Sequence, residues 1–234
     1  MSSSLFRTTC LNSTREHFAD RHGLRNTVYW PDGSKYTGEW KDNTRVGHGV
    51  FVYRDGSKYQ GEFRNGLRHG FGTLHVIQNN KLVKKYEGHF ERDFFCGQGI
   101  LNLPDGSVYE GQLQNDLPWG FGQMNYANND VYIGEFIEGK RQGQGKLVST
   151  NGNVYEGLWD DDKKNGEGVV FFKSTRVKMT GFWKNNSPLS STCDDFIEAD
   201  YLKLGMEPEI KEVKRIPVLL LANPDKVVED SRRV

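Results

Sequence analysis

Site chemistry in proteins draws on a short list of side chains, and this chain holds three groupings of them at close spacing. His48 and His69 stand near Asp42, Asp55 and Glu62. A metal site needs such residues to converge from one strand or helix face at ligand-like spacing. The two histidines occupy different places in the repeat described below, so they read as solvated surface residues. "DDDKK", Asp160 to Lys164, offers adjacent carboxylates of the kind that general acid–base catalysis uses. The flanking sequence places it in a hairpin turn, where water solvates every member. "GQGKLV" sets Lys146 behind a glycine pair. A phosphate-binding loop requires Gly-x-x-x-x-Gly-Lys-Ser/Thr opening a helix, and here Leu147 stands where Ser or Thr belongs, ahead of a strand pattern. No Gly-x-Ser-x-Gly segment or Cys–His framework supplies a nucleophile. The residues therefore predict no enzyme, no metal and no cofactor.

Composition points the same way. Only 35% of the 234 residues are apolar, yet 12% are aromatic and 27 are glycine. That mixture suits a thin, turn-rich β structure in which aromatics carry the packing. The 31 basic side chains balance 31 acidic ones, whereas a nucleic-acid binder shows a basic excess. Cys10, Cys96 and Cys193 are far apart and lack Cys-x-x-Cys spacing, which predicts a reducing compartment. The N-terminal stretch has no apolar run of signal-peptide length and no segment approaches a transmembrane length. The expectation is a soluble intracellular protein.

What remains is a repeat. Tyr-x-Gly, an apolar residue four places after the Tyr, and Gly-x-Gly eleven to thirteen places after it recur from Tyr36, Tyr59, Tyr86, Tyr109, Tyr132 and Tyr155. The period is 23 residues except after Tyr59, where "NNKLVKK" adds four. A degenerate seventh start lies at Met179, and "VYWPDGSK" before Tyr36 resembles the end of a unit. Counting the Tyr as position 0, positions 0, 2 and 4 share one strand face and positions 11, 13, 15 and 17 share a face of the next strand. Pairing across a six-residue turn predicts position 0 against 15, 2 against 13 and 4 against 11. Each position-4 ring would then lie between two glycines, its own unit's first and the previous unit's second.

"YTGEWKDNTRVGHG" and its five relatives resemble MORN repeats, the units of the membrane occupation and recognition nexus family. The resemblance covers roughly residues 24–185. Units three and four depart from it, with His89 and Gln112 replacing Glu and Leu113 replacing the aromatic, which predicts looser packing there. The expected fold is all-β: a single-layer, elongated antiparallel sheet of stacked hairpins with about thirteen short strands. It would have an N-terminal extension (1–23), an array (24–185) and a C-terminal tail (186–234) that is partly helical or extended. In the tail, "DDFIEADYLKLG" reads as a short helix capped by Asp194 or Asp195. "IPVLLLANPD" is an apolar run that must cover something.

Two surfaces are candidates for binding. One is the aromatic face: Tyr36, Trp40, Tyr59, Phe63, Tyr86, Phe90, Tyr109, Tyr132, Phe136, Tyr155 and Trp159, with no second layer encoded to bury it and hence expected to hold a partner segment. The other is a row of turn cations at position 9, Arg45, Arg68, Arg141 and Lys164, interrupted by Phe95 and Pro118, which would form an edge for an acidic partner. Residues 36–185 carry 19 basic and 18 acidic side chains, so binding to anionic membranes should be weak or absent. The resemblance implies a non-catalytic scaffold joining axonemal or cytoskeletal proteins in cilia and flagella, notably of sperm, with dimerisation open and no nucleic-acid partner. A peripheral phospholipid-binding module and a regulatory array acting on an enzyme in trans are the alternative implications.

Overall fold

The computed structural model describes residues 21–195. They form one open antiparallel sheet of fifteen strands, each bonded only to its neighbours in sequence. The strands are β1 (Gly23–Tyr29), β2 (Lys35–Lys41), β3 (Thr44–Val52), β4 (Lys58–Arg64) and β5 (Leu67–Gln78). They continue as β6 (Lys81–Glu91), β7 (Phe94–Asn102), β8 (Val108–Gln114), β9 (Leu117–Asn125) and β10 (Val131–Ile137). The last are β11 (Lys140–Val148), β12 (Val154–Asp160), β13 (Lys163–Phe172), β14 (Val177–Lys184) and β15 (Ser187–Asp195). The all-β, single-layer expectation holds, with two strands more than the thirteen expected. β15 carries the sheet past residue 186, where the tail was expected to begin, and Asp194 and Asp195 are its last residues. The helix expected after them and the run at 216–225 lie outside the described residues.

Two kinds of turn build the stack. Within a unit the connection is two residues long, both with positive φ, as at Asp42–Asn43 (49° and 59°) and Asn115–Asp116 (49° and 69°). This is the hairpin turn whose twist matches that of the flanking strands, and Asn, Asp and Gly tolerate it best. Between units, "PDGS" and "RDGS" form a three-residue loop in which Gly33, Gly56 and Gly106 take φ near 90°. Asp55 Oδ1 accepts the Ser57 N–H at 2.8 Å, and the Ser57 hydroxyl donates to Oδ2 at 2.8 Å. These bonds to the anion hold the Asp55 carboxyl below its ordinary pKa. The four extra residues after Tyr59 lengthen β5 and β6, which turn at Asn79–Asn80.

The two-residue turn changes the register. Tyr36 pairs with Phe51 and Gly38 with Gly49, as the spacing predicts. Beyond Gly38 the ladder slips: Glu39 pairs with Val46 and Trp40 with Arg45, leaving Gly47 and His48 as a bulge. Across the unit boundary Phe63 meets Gly47 and Gly61 meets Gly49. The expectation that each position-4 ring lies between two glycines is therefore corrected. Its strand neighbours are the position-9 residue of its own unit and the first glycine of the previous one. That first glycine takes positive φ in every unit, 56° at Gly47 and 66° at Gly120, so it serves the bulge and not a ring.

Candidate binding groove

The tyrosines explain the second glycine. The Tyr36 ring lies flat over the Gly38–Gly49 pair: a Cβ built on Gly38 would stand 2.6 Å from Cζ of that ring and 2.6 Å from the Gly49 Cα. The phenol then reaches the bulge. Tyr59 Oη donates to the Glu62 carbonyl at 2.9 Å, Tyr109 to that of Gln112 at 2.7 Å and Tyr155 to that of Leu158 at 2.9 Å; the other three units repeat the bond. A carbonyl next to a bulge has lost its ladder partner, and the phenol supplies one. Burial pushes the Tyr36 and Tyr109 phenols up to about 12. The acid of Gly-Glu-Trp closes the bulge from the other face, where Glu39 Oε1 accepts the His48 N–H at 2.9 Å and Glu62 Oε1 that of Phe71 at 3.0 Å.

The aromatic face is not left uncovered, which corrects the first site expectation. Tyr36, Tyr59, Tyr86, Tyr109 and Tyr132 are completely buried, and Trp40, Phe63, Phe90, Phe136, Tyr155 and Trp159 are at most 5% exposed. The rings bury one another edge to face: the Tyr36 and Phe63 centroids lie 5.1 Å apart at 82°, and those of Tyr132 and Trp159 5.3 Å apart at 85°. Units three and four pack as closely as the rest, against expectation. Leu113 is 3% exposed, and Phe95 stacks on Tyr86 at 4.0 Å.

The missing second layer is the position-9 row. Arg45, Arg68, Arg141 and Lys164 lie within strands rather than in turns, and they cap the rings, which corrects the second expectation. The Arg141 Cζ stands 4.2 Å from the Trp159 ring centroid, the Arg68 Cζ 5.1 Å from that of Phe90, and the Lys164 Nζ 4.6 Å from that of Tyr155. Such contacts contribute about 0.5–2 kcal/mol each, more as water is excluded. Two of the cations are also paired across the unit boundary. Arg68 Nε donates to Asp93 Oδ1 at 2.9 Å and Arg141 Nε to Asp162 Oδ1 at 3.0 Å. So "DDDKK" supplies the partner of Arg141, and its Asp161 pairs with Lys140.

Above this layer the face carries a groove. One part, about 790 Å³, is lined by Arg45, Phe51, Tyr53, Arg68 and Asp93 among others, and a second part of about 440 Å³ adjoins it at Trp30 and Gly66. A separate hollow of about 360 Å³ is lined by Lys164, Phe172 and Pro188 among others. The lining of these cavities thus includes Tyr53 and Phe172 at position 17 and Phe51 at position 15, with Arg45, Arg68 and Lys164 of the cation row. Of the eleven rings chosen from sequence only Trp40, Phe63 and Tyr155 reach it, each at most 5% exposed. Position 17 shares a strand face with position 15, which pairs with the Tyr, and that signal could have found it. The other face of the sheet exposes Phe71, Phe94, Trp119 and Phe121, between 37% and 61%. His48 and His69 belong to that face. Among the described residues no three His, Cys, Asp or Glu side chains come together as a metal site, and no helix is long and apolar enough to cross a membrane.

The bulge-plus-tyrosine unit recurs six times, and the MORN repeat model matches the chain at those six places: residues 36–58, 59–75, 86–108, 109–131, 132–154 and 155–174. The chain belongs to the MORN repeat family. MORN repeat-containing protein 3 of Xenopus laevis is 44% identical over 36 residues, a match that spans 15% of each chain. Two solved structures align with the chain at low similarity. One is the SAS-4 (dCPAP) TCP domain of Drosophila melanogaster in complex with a proline-rich motif of Ana2 (dSTIL), at TM-score 0.39 and 10% identity, covering 84% of this chain and 99% of that one. The other is the TCP10 domain of Danio rerio CPAP with a STIL peptide, at TM-score 0.36 and 12% identity, covering 71% and 92%. The MORN array of this chain is a repeat module for protein or membrane interaction.

Proposed function

We propose that this MORN array is a non-catalytic scaffold that captures a segment of another polypeptide in the groove of its aromatic face, within the axonemal cytoskeleton of cilia and flagella. The observation that carries the reading is the groove. Its floor is made rigid by buried rings and their caps, while Phe51, Tyr53 and Arg45 line its wall beside paired charges. A preorganised apolar wall with fixed polar groups binds a chain segment at low ordering cost. The axonemal setting rests on the family resemblance. The membrane alternative draws less support, because Arg68 and Arg141 already hold aspartates and so offer little charge to anionic headgroups.

Chemical cross-linking and mass spectrometry on isolated axonemes tests the scaffold. A partner segment should cross-link reproducibly to the array, and Tyr53→Ala with Trp30→Ala should remove those links while the sheet stays folded. Links that survive both changes would place the working surface elsewhere.

A further inference from the structure

The position-9 arginines are built to one plan, and one of them departs from it. Arg68 donates three hydrogen bonds to the turn of the next unit. Its backbone N–H and its Nε both meet Asp93 Oδ1 at 2.9 Å, and its Nη2 meets the Asp93 carbonyl at 2.6 Å. Arg141 repeats all three with Asp162, at 3.0, 3.0 and 2.8 Å. At Arg45 the equivalent turn residue is Gly66. Nη2 keeps its bond to the Gly66 carbonyl at 2.6 Å, so the guanidinium is held in the same pose. The carboxylate is missing. Two donors, the Arg45 N–H and Nε–H, therefore converge on a point where two other units place an aspartate oxygen.

That point opens into the groove. Arg45 and Gly66 line both the 790 Å³ and the 440 Å³ parts. Beside Gly66 only the Thr44 methyl comes near, 3.7 Å from where a Cβ would stand. Arg45 is packed over Phe51 at 4.8 Å and Phe63 at 5.4 Å, and burial draws its pKa down, so a carboxylate there would relieve a partly desolvated cation. Three acids line this part of the groove, and each is engaged: Asp32 with Ser34, Asp55 with Ser57 and Asp93 with Arg68. Among the described residues no carboxylate pairs with Arg45.

We propose that the gap between Arg45 and Gly66 is a carboxylate-binding site for an acidic side chain of a partner polypeptide, with a neighbouring apolar residue of that partner lying on Trp30, Phe51 and Tyr53. The inference rests on the groove reading and names the chemistry that the groove selects. Charge complementarity fixes the occupant: a planar fork of N–H donors matches a carboxylate, and a rigidly held arginine loses little freedom on pairing.

The structure also supplies a variant that fills the gap from within. Gly66 takes φ of 80°, and the equivalent Asp93 and Asp162 take 73° and 66°, so Gly66→Asp fits the turn and places its own carboxylate on Arg45. A random dodecapeptide library displayed on phage, panned against the full chain, provides the probe. Selected peptides should carry an Asp or Glu next to an aromatic or branched aliphatic residue. Both Gly66→Asp and Arg45→Gln should weaken their binding at least tenfold, with thermal unfolding of Gly66→Asp no lower than that of the parent chain. Peptides that bind through the groove but resist Gly66→Asp would overturn the carboxylate site and leave the groove standing. Failure to select any groove-binding peptide would overturn both. Loss on Gly66→Asp of binding to phosphatidylinositol-bisphosphate vesicles, with peptide capture unchanged, would assign the site to a phosphate headgroup and overturn the proposal.

Discussion

Replacing Gly122 by alanine tests the central packing device of the array. A Cβ at this position would stand 2.6 Å from both Cε2 and Cζ of Tyr109, where carbon atoms in contact normally keep about 3.5–4.0 Å. The ring cannot retreat freely. It is completely buried, packs edge to face on Phe136 at 5.1 Å, and its hydroxyl is bonded to the Gln112 carbonyl at 2.7 Å. Relief by about an ångström of ring movement must stretch that bond or disturb Phe136. Overpacking of this kind costs on the order of 1–3 kcal/mol. Loss of the phenol bond adds about 1 kcal/mol. The opposing gain, from a less flexible unfolded chain, is only about 0.4–1 kcal/mol. Net destabilisation of roughly 1–3 kcal/mol should appear as a lower urea midpoint, followed by tryptophan fluorescence with far-UV circular dichroism. The adjacent Gln123 faces the other side of the sheet, and Gln123→Ala should stay within about 0.5 kcal/mol. Equal midpoints for the two variants would refute the reasoning, since the clash depends wholly on which face the residue occupies.

Three further outcomes are expected. Tyr59→Phe keeps the ring and removes the donor to the Glu62 carbonyl, so it should cost about 1–3 kcal/mol; an unchanged urea midpoint would show that the carbonyl finds another donor. The phenols of Tyr36, Tyr109 and Tyr155 are raised by burial to about 12, against about 10 when unfolded. Their contribution to stability is complete below pH 10 and lost as pH rises from 10 through 12, because the unfolded chain there binds fewer protons. Ultraviolet difference titration should show these phenols still protonated at pH 11 while the sheet is folded, and their titration near pH 10 in the native state would contradict it. At the Arg68 turn, Asp93→Asn keeps an acceptor and tolerates positive φ, costing up to about 1 kcal/mol for the lost half-exposed ion pair. Asp93→Ala loses both hydrogen bonds and strains the turn, costing roughly 1–3 kcal/mol, so thermal unfolding should separate the two variants.

The part of this fold that the sequence displays is the part that follows from parity. The pairings of Tyr36 with Phe51 and Gly38 with Gly49 come from strand alternation, and the structure has them. Arithmetic failed between the glycines because it assumed a regular ladder. Two extra residues at the bulge leave every face unchanged, so parity carries no trace of them. The signal that could have found the bulge is the dipeptide at positions 6 and 7: Asp42–Asn43, Asn65–Gly66, Asn115–Asp116 and Asp161–Asp162 are all suited to a two-residue turn. Placing the turn there moves position 9 off the turn and over the rings. With that step Arg45, Arg68, Arg141 and Lys164 change from an exposed edge into the layer that buries the tyrosines. The vacancy at Gly66 was readable only once the Arg68–Asp93 and Arg141–Asp162 contacts were in view, because it is defined by what its neighbours do.

The sequential strand order has a mechanical consequence. No strand from β1 to β15 is clamped by a partner remote in the chain. Tension applied between residues 23 and 195 would load the ladders in series and perpendicular to the strands. Hydrogen bonds would then give way a few at a time, as a zipper opens. Each released unit would add about 23 residues of contour, roughly 75–80 Å when drawn out. Such an array yields in small repeated steps and re-forms locally when slack returns, since a detached hairpin finds its docking surface on the very next unit. In the scaffold role proposed above, it would serve as an extensible tether.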